Sequence, residues 1–558
     1  MAQVQAMMSS SQQPHNNHHV GKTDNDGQVR LIVHNQVLDV TSFAAKHPGG
    51  RQVLEAYANG CDATDAFLAY HAPEIAKRLQ YHVVGDIVVS LDEAQEPISA
   101  ASAVTTFDDE EEEEHQEDEA ESIVTNTSIA TTILRRRRRR RKEAESFGSA
   151  THNDDNTTST MSSDYRQLHE SFLREGLYKT NPLFYVKVFA WLACVLGTAI
   201  GLTLVGTWTI TRLAGAFLLG LFWQQVAFVG HDLGHNAVTQ NRTTDKWIGL
   251  VLGPLVSGIS LEWWKATHNL HHVTPNAVDW DKNIQHAPVM AIDTIMFHWF
   301  CAKKRLGESS IIRAVTHFLL AHQDVTFYPF IVIVSRYNLY LRSFFYLIMV
   351  SDAPGWHPKL DLLALFLFHT WVRALVMTIP HAWEQVAFMM ISHAMANVIN
   401  MQIVLSHFPM PVYRGMPITT NEKCQQKETP RAGCDTRCAM MNQCWSHVQV
   451  LTALNVECPT YMDWFHGGLQ FQIEHHLWPR LPRHNLRKVK ARTMAFCQEH
   501  HVPYHSLPFG PALQSVTDTM FQVAEDFRQA SCGETSMNKN KSATFMDSLV
   551  MKAMTMEG

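Results

Sequence analysis

Residues 213–236 read LAGAFLLGLFWQQVAFVGHDLGHN, a stretch in which a membrane-type helix runs directly into a pair of histidines. Its first 18 residues carry no charge, and residues 188–210 before it form a further run of 23 uncharged residues. Runs of this length cross the hydrocarbon core of a bilayer as helices. Because only two residues separate them, they predict a transmembrane hairpin that leaves His231 and His235 at the membrane surface.

Four later apolar segments complete the predicted membrane region. Residues 362–382, interrupted by Arg373, and residues 385–408 predict a second transmembrane hairpin. Residues 247–261 number only 15 and contain a central proline, which favours a re-entrant or interfacial segment. Residues 327–350 contain two arginines and are predicted to form an amphipathic helix on the membrane surface.

Three clusters of histidines flank these hairpins. They read HDLGH, HNLHH and QIEHH, and residues at these spacings share one face of a helix. Imidazole-rich sites suit iron, copper, nickel or zinc, and seven imidazoles are too many for one zinc ion but enough for two metal ions. Histidines that only reach towards lipid head groups would need no such spacing. The clustered residues are His231, His235, His268, His271, His272, Gln472, His475 and His476.

A separate histidine pair near the N-terminus is compatible with a haem site, although the pair alone is weak evidence for one. His47 opens the sequence HPGG, and His71 follows 24 residues later, with short amphipathic helical segments beside them. Two such helices can hold a flat apolar disc between their faces. Two imidazole axial ligands leave no open position on a haem iron, so such a haem transfers electrons rather than binding oxygen. The alternative interpretation is that both are surface histidines beside a turn.

The composition argues against some classes of protein. The chain has 558 residues, enough for more than one domain, and its net charge of −7 argues against a nucleic-acid-binding protein. Residues 1–30 are polar and lack the apolar core of a signal peptide, which favours a reducing, cytosol-facing setting. Cys424, Cys434, Cys438 and Cys444 fit no common zinc spacing and are expected to lie in a reduced loop.

The combination of HPGG with HDLGH, HNLHH and QIEHH resembles the cytochrome b5-fusion front-end desaturases of membrane lipids. The resemblance covers residues 28–90 and about 165–510, and Gln472, in place of the histidine that opens the third cluster in other membrane desaturases, marks the front-end group. Two longer stretches, WDKNIQHAPVMAI from Trp280 and DWFHGGLQFQIEHHLWPRLPRHNL from Asp463, are most similar to the sphingolipid Δ8 long-chain-base desaturases, followed by the Δ5 and Δ6 acyl-lipid enzymes. The insert at 424–444 is longer and richer in cysteine than the family pattern.

The resemblance implies a multi-domain protein. A small α+β cytochrome b5-like haem domain is expected to be fused to an α-helical transmembrane desaturase domain with four spans in two hairpins, interfacial helices and a cytosolic cap that carries the histidine clusters. Between them, an acidic run and a basic run are typical of an extended tether, and the basic run can also settle on an anionic membrane surface. The predicted divisions are a disordered N-terminus (1–27), the haem domain (28–90), a disordered linker (91–163), the desaturase domain (164–510) and a C-terminal tail (511–558).

The number of membrane crossings predicts that all the clusters lie on one side. If neither 247–261 nor 327–350 crosses the bilayer, each hairpin returns the chain to the side of the haem domain. The basic residues Arg242, Lys246 and Lys265 fit the excess of positive charge on the cytosolic side of membrane proteins. We therefore expect a multi-pass protein of the endoplasmic reticulum membrane, with its N-terminus and active site facing the cytosol.

The resemblance also implies cofactors, partners and ligands. Removing hydrogen from unactivated C–H bonds needs an oxidant made from O2 at a metal, because no side-chain acid or base can do it. We expect haem b held by His47 and His71, two iron ions, O2 as co-substrate, and electrons from NADH through a separate cytochrome b5 reductase. The expected iron ligands are the seven clustered histidines, with His407 in LSHF and His466 in FHGGL as candidates for completing the shell. Gln472 either coordinates weakly or orients a ligand or bound water.

The expected function is O2-dependent front-end desaturation of a lipid-linked alkyl chain. The first choice of substrate is the Δ8 position of a sphingolipid long-chain base, and the second is the Δ5 or Δ6 position of an acyl lipid. A cytochrome b5-fused lipid hydroxylase would use similar clusters but is not expected to carry QIEHH. A non-catalytic membrane haem carrier would need neither the clusters nor two hairpins. A new double bond, a hydroxyl group or no change in the lipids of an expressing host separates these functions.

Overall fold

The computed structural model describes residues 28–58, 62–86, 155–286, 289–297, 310–349, 357–414 and 444–537. They form a small N-terminal α+β unit and a larger helical unit that contains the histidine clusters. The predicted disordered N-terminus, the acidic and basic runs, and Cys424, Cys434 and Cys438 lie outside the described residues. Cys444, at the end of the predicted reduced loop, is described and is a buried free cysteine.

A three-stranded antiparallel sheet organises the N-terminal unit. Its strands, in spatial order, are β1 (Arg30–Val33), β2 (Gln36–Asp39) and β3 (Val83–Asp86). The turn between β1 and β2 consists of His34 and Asn35, both at positive φ, which suits a tight two-residue hairpin. Between β2 and β3 lie four short helices, α1 (Thr41–Ala44), α2 (Arg51–Ala56), α3 (Thr64–Tyr70) and α4 (Pro73–Ala76).

The helical unit contains the remaining elements. The first group is α5 (Asp155–Arg174), α6 (Pro182–Val205), α7 (Thr209–Gly234), α8 (Arg242–Leu250), a π-helical turn (Val251–Ser257) and α9 (Leu261–Val273). The second is α10 (Ser310–Ala321), α11 (Gln323–Met349), α12 (Pro358–Met377), α13 (Ala382–Ala396) and α14 (Val398–His407). The third is α15 (Trp445–Leu451), β4 (Asn455–Glu457), α16 (Asp463–His466), α17 (Gln472–Leu477), α18 (Arg483–Glu499), β5 (Ser506–Pro508) and α19 (Phe509–Met537), in which β4 and β5 pair in parallel.

Four stretches are long and apolar enough to cross a membrane, which confirms the two predicted hairpins. They are α6, α7, α12 and the stretch Ala382–His407 that α13 and α14 form together. The helix α7 continues past the predicted end of its span at Gly230 and carries His231 on its last turn. The fourth stretch ends on His407. Two spans therefore end in histidines, one at His231 and the other at His407.

Two bent helix pairs correspond to the less regular apolar segments. The helix α8 and its π-helical turn meet α9 at an angle of 107°, and Pro254 lies inside the turn, consistent with the re-entrant or interfacial segment predicted at 247–261. The helices α10 and α11 meet at 102°. Either pair is apolar and long enough to be one broken span, so the composition of the described helices allows four to six crossings.

Arg336 lies on the buried side of α11. It is one of the two arginines that predicted a surface helix, yet it is buried, donates a hydrogen bond to the Ser257 carbonyl at 2.8 Å and lies 4.5 Å from the Trp223 ring centre. A buried guanidinium is stable where acceptors and an aromatic face replace its hydration. Arg336 therefore faces the interior of the helical unit, where the π-helical turn supplies such an acceptor.

The predicted linker at 91–163 extends too far. Helix α5 begins at Asp155, and its Met161 and Tyr165 are buried. The Tyr165 hydroxyl donates to the Leu477 carbonyl at 2.8 Å, so this helix packs directly on the segment that follows the third histidine cluster. Composition concealed the helix because its few apolar residues lie on one narrow face among Ser, Thr and Asp.

The first part of the predicted tail at 511–558 is helical. Helix α19 buries Val516, Met520 and Val523, which recur at helical spacing and join the apolar cluster that includes Phe408 and Leu454. The tail is therefore a packed element as far as the described residues reach.

Close contacts join the two hairpins. Arg212 of α7 and Glu384 of α13 form a buried ion pair of 2.6 Å, and Thr209 donates to the same carboxylate at 2.7 Å. Further along, α7 and α13 meet at Gly220, where an added Cβ would lie 2.4 Å from the Ser392 carbonyl oxygen. Small residues permit such backbone approach between membrane helices.

Replacing Gly220 by alanine is expected to destabilise the hairpin pair. The new methyl group meets backbone rather than a flexible side chain, and overpacking costs about 1–3 kcal/mol. The matched control is Gly201→Ala in α6, where an added Cβ meets nothing within 4 Å and alanine favours the helix by about 1 kcal/mol. Thermal unfolding of the detergent-solubilised variants should show a lower midpoint for Gly220→Ala alone. Equal midpoints for both variants would contradict the close contact.

Candidate haem and metal sites

The N-terminal unit brings His47 and His71 together. Their ring centres lie 6.1 Å apart, which leaves room for one metal ion, since an imidazole nitrogen lies about 2 Å from a bound transition metal. The Nδ1 atom of His47 lies 3.1 Å from the Gly50 carbonyl, and that of His71 lies 3.0 Å from the Phe67 carbonyl. Each Nδ1–H therefore donates to backbone, and each Nε2 lone pair is left for a metal. The pair fits bis-imidazole haem ligation.

The HPGG sequence is explained by the geometry of the His47 ring. An added Cβ on Gly49 would lie 2.8 Å from His47 Cε1, so a side chain there would displace the imidazole. Gly50 has a φ of 96°, a conformation that glycine adopts without strain, and its carbonyl holds the His47 ring. Gly49 thus leaves room for the His47 ring, and Gly50 holds that ring in position.

Burial keeps both haem-site histidines neutral at pH 7. It is the main reason that the pKa of His71 falls to about 4, and it also lowers the pKa of His47. A protonated imidazole has no lone pair to offer, so neutral rings are the state that binds iron.

Five histidines form the larger of two groups in the helical unit. His231 and His235 come from the end of α7, His268 and His272 from α9, and His475 from α17, and their candidate ligand atoms all lie within 4.8 Å of one another. Three helices thus supply nitrogens to one point.

The contacts within this five-histidine group fit a metal ion. The Nε2 atoms of His235 and His268 are 3.1 Å apart, those of His268 and His272 are 2.9 Å apart, and those of His272 and His475 are 3.0 Å apart. A neutral imidazole carries one N–H, so four nitrogens in a row cannot all act as both donor and acceptor. A cation at their centre would satisfy every lone pair.

Three more histidines form the second group. The candidate ligand atoms of His271 on α9, His407 at the end of α14 and His476 on α17 also lie within 4.8 Å of one another. The two groups adjoin, since the ring centres of His272 and His476 are 4.4 Å apart. Burial lowers the pKa of His476 well below its usual value, so this ring is neutral at pH 7. The helix spacing of HNLHH and QIEHH sends neighbouring histidines to different groups.

Hydrogen bonds orient all three rings of the second group. Asp281 Oδ2 lies 2.8 Å from His271 Nδ1, the Thr452 carbonyl lies 2.9 Å from His407 Nδ1, and Gln449 Oε1 lies 2.9 Å from His476 Nδ1. Each acceptor holds a Nδ1–H and directs the opposite nitrogen inward.

Asp281 is suited to this task. Burial would raise its pKa, but the neighbouring His271 and hydrogen bonds from backbone amides, including that of Asn276, lower the pKa below its usual value overall. The carboxylate therefore stays charged and accepts the imidazole N–H. This residue lies in WDKNIQHAPVMAI, a stretch used for the resemblance but not assigned a role.

Glu474, the acid within QIEHH, holds the third cluster in place rather than binding metal. Its carboxylate accepts hydrogen bonds from Asn455 at 2.7 Å and Tyr504 at 2.6 Å, and Asn455 also accepts from the Ile473 amide at 2.9 Å. Burial raises the pKa of Glu474. The β4–β5 pair and α17 are thereby joined behind the histidines.

The remaining two predicted site residues differ in position. Gln472 Nε2 lies 3.1 Å from His407 Nε2, so its amide faces the second group. His466 joins neither of the two groups that the described residues form, and its Nδ1 lies 3.4 Å from Gln402 Nε2. Of the two candidates for completing the shell, His407 thus lies within the second group and His466 lies outside both groups.

Comparison with known proteins follows the same division of the chain. Residues 206–508 match the family model of the fatty acid desaturases, and residues 16–88 match that of the cytochrome b5-like haem/steroid binding domain. The chain belongs to the fatty acid desaturase family. It is a membrane lipid desaturase, an oxidoreductase with a fused cytochrome b5-like domain, as the sequence motifs predicted.

Relatives of this desaturase align with two thirds or more of the chain. A protein of Arabidopsis thaliana named Delta(8)-fatty-acid desaturase 2 is 30% identical over 91% of this chain and 93% of its own. A protein of Emericella nidulans named Delta 8-(E)-sphingolipid desaturase is 30% identical over 67% of this chain and 64% of its own. A protein of Borago officinalis named acyl-lipid (9-3)-desaturase is 26% identical over 90% of this chain and 91% of its own.

A cavity borders the five-histidine group of the desaturase. Its lining includes Phe228, His231, Asp232, Gly467 and Arg483. The Arg483 guanidinium lies 3.2 Å from the Asp232 carboxylate, so the cavity combines apolar walls with a polar pair beside the histidines.

Loss of either haem-site histidine should remove haem from the desaturase. His47→Ala and His71→Ala each delete one axial nitrogen, and Gly49→Ala should retain only part of the haem because its methyl group displaces the His47 ring. The measurement is the haem-to-protein ratio by reduced haemochrome absorption. The control is His34→Asn, which changes an exposed histidine at positive φ into another residue that tolerates it. Full haem content in His71→Ala would refute the assignment.

Neutralising Asp281 should weaken metal binding in the second group. Asp281→Asn removes the charge that accepts the His271 Nδ1–H, and loss of such a partner costs about 10–100-fold in metal affinity. Iron per chain after graded chelator treatment measures the effect. Asp279→Asn is the control, because Asp279 pairs with Arg414 at 3.6 Å instead. The supporting role fails if both variants release iron at the wild-type chelator concentration.

Proposed function

We propose that this desaturase uses O2 and two iron ions to introduce a double bond at Δ8 of a sphingolipid long-chain base. The convergence of eight imidazoles in two adjoining groups carries the proposal. The choice of substrate is supported by relatives from plants named Delta(8)-fatty-acid desaturases and from fungi named Delta 8-(E)-sphingolipid desaturases.

The two histidine groups suit two metal ions. His231, His235, His268, His272 and His475 would hold one, and His271, His407 and His476 the other. Iron in these positions would activate O2 and so supply the oxidising power needed to remove hydrogen from unactivated C–H bonds. In the overall reaction, the alkyl chain loses two hydrogens, two electrons and two protons enter from outside, and O2 is reduced to two molecules of water.

Gln472 gives the second group a replaceable position. It presents a neutral amide 3.1 Å from the nitrogen that His407 directs inward. An amide is a weaker ligand than imidazole, and catalytic metal sites need a position that water or substrate can occupy. Gln472 either binds weakly or hydrogen-bonds a water molecule there, and both arrangements keep the position exchangeable.

The head group of the substrate is expected to set the position of the double bond. Apolar contacts distinguish neighbouring methylenes by only ~0.8 kcal/mol per buried CH2. The cavity that Arg483 and Asp232 line beside the histidines has room for about one water molecule, so we expect a ceramide-type head to bind further from the metal centre, at the cytosolic rim near the histidine clusters. A head group fixed at that position would place the same carbon atoms of the chain at the metal centre in every turnover.

The fused haem domain supplies the electrons one at a time, and an external NADH-cytochrome b5 reductase restores them. The haem domain touches the histidine cap, since Arg480 donates to the His71 carbonyl at 2.7 Å, so both lie on one side of the membrane. The basic residues Arg242, Lys246 and Lys265 near the cap support a cytosolic side. We place the protein in the endoplasmic reticulum membrane with its N-terminus and active site in the cytosol.

The packing of α5 and α19 supports a wider desaturase domain than the sequence predicted. We propose a haem domain at 28–90 and a desaturase domain that starts with α5 at Asp155 and includes α19 to Met537.

Expression in a yeast strain with saturated long-chain bases should test the substrate. We expect Δ8-unsaturated long-chain bases by mass spectrometry of derivatised lipids, and no change in fed polyunsaturated fatty acids. The control is His271→Ala, which should insert in the membrane and keep its haem but form no product. New Δ5 or Δ6 double bonds in fatty acids, with unaltered long-chain bases, would show that the substrate is an acyl lipid rather than a sphingolipid. A hydroxylated long-chain base would show that the reaction is hydroxylation rather than desaturation.

A further inference from the structure

We propose that the Tyr70 ring is the bridge by which electrons pass from the haem to the metal centre. The proposal rests on the function proposed above, in which the fused haem domain is the electron donor. It assigns a task to a residue of the haem domain that lies outside both sets of ligands.

Tyr70 joins the two sites by a short connection between their ligands. It is the last residue of α3 and is bonded through the backbone to His71. Its ring meets the His272 ring edge-on, with centres 6.3 Å apart and planes at 74°. One peptide link and one ring contact therefore connect a haem-site histidine with a metal-site histidine. Electron transfer in proteins slows steeply with distance and with gaps in packing, so this contact favours fast transfer.

His272 is a suitable receiver. Its Nε2 lies 2.9 Å from His268 Nε2 and 3.0 Å from His475 Nε2, inside the five-histidine group. Its ring centre is also 4.4 Å from that of His476 in the second group. His272 is thus adjacent to both groups, and an electron that reaches it can pass to either.

Polar contacts fix the haem domain in the position that this route requires. Arg480, near the end of the third cluster, donates to the His71 carbonyl at 2.7 Å. Asp65 of α3 accepts from Arg166 at 2.6 Å and from Ser162 at 2.6 Å, both on α5. The Asp65 carboxylate is only 6% exposed, so these bonds are shielded from solvent. The helix that carries Tyr70 is therefore held from both sides.

Aromatic packing fixes the ring itself. Trp445 of α15 meets Tyr70 edge-on at 6.2 Å and meets Tyr165 at 5.6 Å. The Tyr70 ring thus lies between the rings of Trp445 and His272, and close packing favours electronic coupling through such neighbours.

The ring rather than the hydroxyl is the active part. The Tyr70 hydroxyl is buried and has no hydrogen-bond partner within the part of the chain that the structure describes. Oxidising a phenol near pH 7 requires an acceptor for its proton, so Tyr70 acts as a bridge and is not itself oxidised. In each transfer the reduced haem loses one electron, the metal centre gains it, and no proton moves at Tyr70. Two transfers serve one turnover, and the reductase re-reduces the haem with electrons from NADH.

The test compares variants of Tyr70 in the full-length, haem- and iron-loaded enzyme. Tyr70→Phe keeps the ring, while Tyr70→Leu and Tyr70→Met fill the space with apolar side chains that lack one. The control is Tyr81→Leu, the same change at a haem-domain tyrosine that is 78% exposed. The haem is reduced under anaerobic conditions and mixed with O2 and lipid substrate, and the decay of the reduced haem absorption is followed by stopped flow.

We expect Tyr70→Phe and Tyr81→Leu to re-oxidise the haem within about twofold of the wild-type rate, and Tyr70→Leu and Tyr70→Met to do so at least about tenfold more slowly, an added barrier of ~1.4 kcal/mol. Haem and iron content should match the wild type in all four. When a small redox dye reduces the metal centre directly, a single turnover should give the wild-type yield of product in every variant.

Three results would overturn the proposal. Wild-type re-oxidation rates in Tyr70→Leu and Tyr70→Met would remove Tyr70 from the route. A Phe variant as slow as the Leu variant would show that the hydroxyl is required. Loss of iron or of the dye-driven turnover in the slow variants would assign Tyr70 a structural role. Failure of the proposed function would give a different result. The wild-type enzyme would then form no unsaturated long-chain base, whether the haem domain or the dye supplied the electrons.

Discussion

The convergence of eight imidazoles, seven of them buried, in two adjoining groups is the constraint on which the rest of the helical unit depends. Nitrogens of His268, His272 and His475 face one another at about the distance of hydrogen bonds, although each ring has only one proton to share. Such an arrangement is costly in a medium of low dielectric unless a cation occupies its centre. Rings must also be held from behind, since a free imidazole would rotate its N–H into the group.

The surrounding elements meet this requirement in different ways. The membrane hairpins bring histidines to their ends, because α7 runs on to His231 and the fourth span ends at His407. The cap supplies acceptors, among them Asp281 and the Thr452 carbonyl, and the Glu474–Asn455–Tyr504 contacts fix the short helix that carries the third cluster. The membrane spans and the cap thus hold the histidines together. A change in helix packing far from the histidines is therefore expected to alter the distances between their rings.

The haem domain is attached to this support by its ligand-bearing helix. The residues that dock it, Asp65 and the His71 carbonyl, lie next to the ring contact with His272. A covalent fusion raises the local concentration of the donor, but a long tether alone does not define how the two sites face each other. Packing through α5 does so, which explains why a segment of polar composition is folded as a helix at Asp155.

The sequence by itself determined the local features. Uncharged runs of sufficient length predicted the hairpins, helical spacing predicted that HNLHH and QIEHH point at common sites, and HPGG with His71 predicted the haem pair, since each depends on residues near one another in the chain. Only the tertiary structure divided the histidines between two groups, brought in His407 and set aside His466, because these outcomes depend on where separate helices end. It alone showed Asp281 as the partner of His271, the buried position of Arg336 and the packing of α5 and α19. The partners of buried polar groups come from distant segments, so they cannot be predicted from the spacing of residues along one segment.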